Sequence, residues 1–131
     1  MQLRFISFVP ATMWVILIAV LLLLPGQDLP TASFLDEIYF DKWVHVGLFG
    51  MLTILFAYPF LKVEKLTGKL LLLITALCIV YGILMEYAQK YFTTDRAFDI
   101  SDMIADACGC IGAFLFIIWF KKRRKLNTKN I

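Results

Sequence analysis

The residues that could do chemistry in this chain are few, and they fall in three short groups: Asp41, Lys42 and His45; Glu86 and Gln89; then Arg96, Asp99, Asp102 and Asp106. Elsewhere the sequence is dominated by apolar residues. Asp41 and His45 are four apart, and Glu86 and Gln89 three apart, so on helices each pair shares a face. His45, Glu86 and Asp102 have the chemistry of a general acid or base. Lys42 and Arg96 suit a phosphate or carboxylate, with Asp41, Gln89, Asp99 and Asp106 as further binding groups. Carboxylates outnumber cations here, and a low-dielectric site cannot hold that excess without relief. Protonation, a bound cation, solvent or the helix N-terminus near Asp99 and Asp102 would each supply it. A divalent cation on His45 with Glu86, Asp102 or Asp106 is chemically reasonable, but no HxxxH, CxxC or HExxH spacing supports a metal or any other cofactor. Capping is the plainer role for Asp99, Ser101 and Asp102.

The elements that must carry these groups follow from composition. The chain has 131 residues, of which 61% are hydrophobic and 18% charged, with a mean hydropathy of +0.81. One soluble domain of that length has too little interior to hide so much apolar surface, so the bilayer is the expected solvent. Four apolar runs, 5–24, 43–61, 70–88 and 103–120, are each about as long as a helix crossing roughly 30 Å of hydrocarbon. Lipid leaves no partner for loose backbone groups, which favours continuous helices, and the runs lack the alternation of a membrane barrel. The expectation is a single all-α domain, a four-helix membrane bundle with a basic tail at 121–131. The first run has no small-residue cleavage site before Leu24-Pro25-Gly26 and reads as an uncleaved span.

Basic residues set the expected orientation. With the N-terminus inside, ten of the thirteen Lys and Arg fall on the cytoplasmic side, which places both termini in the cytoplasm and the polar groups at the outer ends of the spans. Trp43, Tyr39 and Tyr91 then sit at the outer interface and Trp119 at the inner one. The KKRRK run after the last span reads as a topology anchor for anionic headgroups, not a nucleic-acid patch. The three cysteines, Cys78, Cys108 and Cys110, lie in apolar runs and read as free thiols packing as small hydrophobes. On the fourth span Asp102, Ala105, Asp106, Gly109, Gly112 and Ala113 form an acidic-then-small stripe, and Gly82 lies one turn below Glu86. Both features invite close helix packing. Turned together, the three polar faces would make a pocket open to the outside.

The order Asp41-Lys42-x-x-His45, Glu86-x-x-Gln89, Arg96 and Asp102, followed by a glycine-containing last span, resembles the VanZ-like family over about residues 20–120. The match covers Asp41, Lys42, His45, Glu86, Gln89, Arg96 and Asp102. Position 106 departs from it, since the family typically has Asn where this chain has Asp106. The resemblance implies a small envelope protein of the bacterial cytoplasmic membrane, in a family named for a protein associated with teicoplanin resistance. Three functions compete. One is binding or processing of an anionic envelope lipid or lipid-linked precursor by the outward pocket. Another is a non-catalytic scaffold or partner protein whose polar groups only lock the bundle. The last is a small proton or cation transport component, against which the apolar cytoplasmic halves of the spans speak.

Overall fold

The computed structural model describes residues 3–24, 39–93 and 98–129, with side chains to residue 125. A short 3-10 turn, Phe5–Phe8, leads into α1 (Val9–Leu23); α2 (Phe40–Lys62), α3 (Gly68–Phe92) and α4 (Ile100–Lys129) follow. Four segments, Phe5–Leu23, Phe40–Lys62, Gly68–Phe92 and Ile100–Lys125, are long and apolar enough to cross a membrane, with mean hydropathies of 1.8 to 2.5. The expected all-α, four-span architecture is what the chain adopts. α2, α3 and α4 begin two or three residues before the runs read from hydropathy and α2 and α3 end one to four residues after them, because polar caps and polar first turns extend a helix past its apolar stretch. Thr67 caps α3 by accepting a bond from the Leu70 N–H at 3.1 Å. Asp99 caps α4, its Oδ1 accepting from the Ser101 N–H at 2.8 Å.

A thin apolar core holds the bundle, with Ile18 and Leu22 from α1, Phe49 and Leu52 from α2, Leu71 and Cys78 from α3, and Cys110 and Ile117 from α4. Val9, Leu72, Leu77, Ile104 and Leu115 lie on the outer surface, and Trp14 packs against the core. Only 17 to 33% of each span's most apolar window is buried in the protein, so most of the apolar side chains face outward, as a bilayer requires. Tyr39, Trp43 and Tyr91 are exposed at one end of the bundle and Trp119 toward the other, at the depths where aromatic belts form.

The most extensive packing is between α2 and α4. It rests on Gly50 and Gly109: a Cβ at Gly50 would meet the Gly109 carbonyl oxygen at 3.2 Å, and one at Gly109 would strike the Val46 carbonyl outright. Gly109 belongs to the expected small-residue stripe, but the stripe runs on through Cys110, Ala113 and Ile117 and not through Gly112, which is exposed. Gly109→Ala is therefore expected to lower unfolding stability by about 1–3 kcal/mol by forcing two backbones apart. Gly112→Ala, whose Cβ would meet nothing within 4 Å, should leave it unchanged. Titrated unfolding in mixed micelles separates the two.

Two of the three cysteines, Cys78 and Cys110, are buried as expected, while Cys108 is exposed; all three are free. The Cys110 thiol donates to the Phe49 carbonyl at 3.7 Å.

Candidate functional site

The starts of α2 and α4 and the end of α3 come together at one end of the bundle. α2 brings Asp41, Lys42 and His45, α3 brings Glu86 and Gln89, and α4 brings Asp102 and Asp106, with Asp99 immediately before it. Arg96 lies outside the described residues. The close approach at Gly50 and Gly109 sets the α2–α4 spacing one turn below His45 and Asp106. Gly82 does the same for α3: a Cβ there would come within 2.8 Å of the Asp106 carboxylate. The second carboxylate of α4 is thus received into a notch that only glycine leaves open.

Around Lys42 the arrangement is ionic. Its ammonium reaches Asp41 at 3.2 Å and Asp99 at 2.7 Å, and it donates to Asp102 Oδ1 as well. Lys42 is 23% exposed and Asp102 16%, so they form the mouth of the site, with Asp41 outside it. Asp99, which lies beyond the spans, has its carboxyl held down to about 2 by the Lys42 ammonium, with the Ser101 hydroxyl and N–H adding to the effect. A depressed carboxyl stabilises the fold above its ordinary pKa, and that contribution is lost as the pH falls toward 2.

Behind the mouth lies a second, drier group. Glu86 is 0% exposed, Asp106 1% and His45 4%, as deep as the apolar core. His45 Nδ1 is 2.8 Å from Asp106 Oδ1, and His45 Nε2 is 3.9 Å from Asp102 Oδ2. Glu86 Oε2 accepts from the Asp99 N–H at 3.2 Å. Two buried oxygens, Glu86 Oε1 and Asp106 Oδ2, have no hydrogen-bond partner among the described residues. Ion chemistry is also within reach: His45, Glu86 and Asp102 each offer a ligand atom, all within 4.8 Å of one another. The expected juxtaposition of the three polar faces is therefore present, but the inner residues are closed over and do not line an open cleft. The glycine contacts draw the helices too close to leave one.

Gln89 does not join the carboxylates. Its Nε2 donates to the Leu22 carbonyl of α1 at 2.9 Å. Tyr81 does likewise, donating to the Val15 carbonyl at 2.8 Å, and Trp14 donates to the Leu48 carbonyl at 2.9 Å. These tethers of α1 carry no signal in the sequence, because each acceptor is main chain. Gly50, by contrast, carries a signal: with Gly47 it is one of two glycines in the first half of α2, and small residues mark close helix approach. An apolar groove of about 240 Å³ opens between α1, α2 and α3, lined by Val15, Phe56, Leu77 and Tyr81 among others. Tyr81 is the neighbour of Gly82, which puts the groove beneath the polar cluster.

Comparison with known proteins gives a consistent picture. A family model described as VanZ/LLP1 matches residues 3–121. An uncharacterized protein of Schizosaccharomyces pombe is 33% identical over 110 residues, covering 84% of this chain and 66% of the yeast protein, so the chain spans just under two thirds of that relative's length. No solved structure matches.

Proposed function

Since the chain belongs to the VanZ/LLP1 family, we propose that it binds and processes the charged headgroup of a bilayer amphiphile, an anionic envelope lipid or lipid-linked precursor, at the His45–Glu86–Asp106 cluster. The observation that carries this reading is the pair of buried carboxylate oxygens without partners, Glu86 Oε1 and Asp106 Oδ2. A polar network kept only to lock a bundle gains most when every member is satisfied, and leaving two charged-group oxygens orphaned works against that role. Unsatisfied groups of this kind collect at sites shaped for something else to bind.

The residues divide the work as follows. Asp106 orients the His45 imidazole through Nδ1, leaving Nε2 free to give or take a proton. Glu86 is the second acid–base group. Lys42 is already shared among three carboxylates, so the anion of the ligand falls to Arg96. The apolar groove below supports a ligand with a hydrocarbon part, since its lining offers nothing to a polar molecule.

The polar end faces outward and both termini lie in the cytoplasm of a bacterial inner membrane in this reading, supported by the basic residues that gather at the opposite end. A link to teicoplanin resistance would follow if the ligand were a cell-wall precursor; a relative in a yeast favours a lipid class that both kinds of cell contain. A transport role has less support. Among the described residues the buried polar side chains deeper than the cluster are Thr53 and Thr75, and each bonds a carbonyl of its own helix.

The test is lipid mass spectrometry on the gently purified chain beside Arg96→Ala. One anionic lipid or lipid-linked precursor is expected to co-purify with the wild type and to be lost from a variant that keeps its helical spectrum. Identical bulk-lipid profiles in both samples would move the scaffold reading to first place.

A further inference from the structure

We propose that His45, Glu86 and Asp102 together hold one divalent transition-metal ion, zinc or manganese, with Asp106 as the positioning residue behind the imidazole. This inference stands on the ligand geometry and does not require that a lipid be bound; with the ion held, His45 Nε2 and Glu86 serve as ligands in place of the acid–base roles given above.

Several observations converge on it. The candidate ligand atoms come from three different helices and already lie within 4.8 Å of one another. Bonds of about 2.0–2.2 Å at a tetrahedral angle put ligand atoms about 3.3–3.6 Å apart, so the set closes on an ion with a contraction of about an ångström where it is widest. The imidazole is oriented for it: Nδ1 is 2.8 Å from Asp106 Oδ1, so a neutral ring that donates there from Nδ1 presents its Nε2 lone pair to the site. A carboxylate behind a ligating histidine is the usual outer support of such an ion. Nε2 faces Asp102 Oδ2 at 3.9 Å, too far for a hydrogen bond but suited to two atoms flanking one ion.

The remaining observations concern the oxygens. Lys42 takes Asp102 Oδ1, which leaves Oδ2 for the ion. Glu86 is fully buried and keeps Oε1 without a partner, a group that is costly in hydrocarbon unless something positive meets it. Among the described residues of the site, Lys42 pairs with Asp41, Asp99 and Asp102, while the buried carboxyls of Glu86 and Asp106 have no ammonium against them. A divalent ion relieves that imbalance where it is least screened.

The donor set narrows the ion. One imidazole nitrogen with two carboxylates suits zinc, manganese or ferrous iron, while calcium and magnesium prefer oxygen alone. Three protein ligands also leave coordination positions open, as in ions that polarise a substrate oxygen.

The experiment uses the full chain in detergent, stripped with a chelator and titrated with Zn²⁺ against a chromophoric competitor and with Mn²⁺ by electron paramagnetic resonance. One saturable equivalent is expected for the wild type. His45→Gln and Glu86→Gln should each weaken binding at least about tenfold, and Asp106→Asn about 10–100-fold. Glu64→Gln, at the other end of the bundle, should bind as the wild type does. The visible spectrum of the Co²⁺-loaded wild type should lack a thiolate charge-transfer band. No saturable equivalent in the wild type, a thiolate band, or unweakened binding in folded His45→Gln and Glu86→Gln would each overturn the proposal. Lipid profiles of the same samples keep the two readings apart: lipid without metal removes this inference alone, and metal without lipid removes the lipid reading alone.

Discussion

Lys42→Met is expected to destabilise the folded protein by about 2–4 kcal/mol, a large effect for a change in one side chain at the rim of a bundle. The ammonium is the shared partner of Asp41, Asp99 and Asp102. Removing it leaves three carboxylates facing one another beside the buried Glu86. Breaking a buried pair by deleting one partner costs about 3–5 kcal/mol, because the surviving charge is left uncompensated. The 23% exposure of Lys42 and the more open position of Asp99 place the expected value toward the lower end. Reversible unfolding in mixed micelles gives the measurement. Lys42→Met combined with Asp102→Asn should recover at least half of the loss, since the second change removes the most enclosed of the three charges. A single-variant loss under about 0.5 kcal/mol would mean that the carboxylates are relieved by something other than Lys42. Comparing metal-loaded with chelator-treated protein would then identify whether that relief is an ion.

Glu86→Met should act in the opposite direction on stability. The side chain is as buried as Phe49, and one of its oxygens has no partner among the described residues. Replacing it with an apolar group of similar length removes a desolvation cost and leaves only the Asp99 N–H, near the site's mouth, to be satisfied by water. A gain of about 1–2 kcal/mol is expected in chelator-treated protein, in keeping with apolar replacement of buried ionic groups elsewhere. The same variant should lose metal binding and lipid retention. That pairing separates the competing functions, because a scaffold whose polar groups lock the bundle would lose stability and function together.

Much of this arrangement is legible in the sequence because hydropathy and charge are both one-dimensional signals in a membrane chain. The four spans could be marked from the apolar runs. The site's ionisable members could be marked because, in a chain this apolar, almost any such residue within a span stands out. Helix periodicity further paired Gly82 with Glu86, and the Gly82 notch does receive a neighbouring helix. The remainder was hidden for specific reasons. Whether Cys110 or Gly112 continues the α4 stripe depends on the rotation of that helix, and a phase error of one residue moves a position by about 100°. The tether from Gln89 to Leu22 has a backbone acceptor, so the sequence does not show that a residue read as a ligand-binding group also docks α1. Likewise, spacing alone does not reveal that Lys42 is occupied by three carboxylates; that depends on how far α2 and α4 approach, which Gly50 and Gly109 decide in three dimensions.

The two donors from α3 that grip α1 have a mechanical meaning. Tyr81 and Gln89 are eight residues apart and take carbonyls seven residues apart, at Val15 and Leu22. Sliding α1 by a single turn would separate both donors from their acceptors inside hydrocarbon, where replacements are scarce. α1 is therefore fixed in depth against its neighbours, and the protein presents one hydrophobic thickness. In a thicker or thinner bilayer it can answer mismatch by tilting as a unit or by deforming the surrounding lipid, but not by sliding α1 past its neighbours.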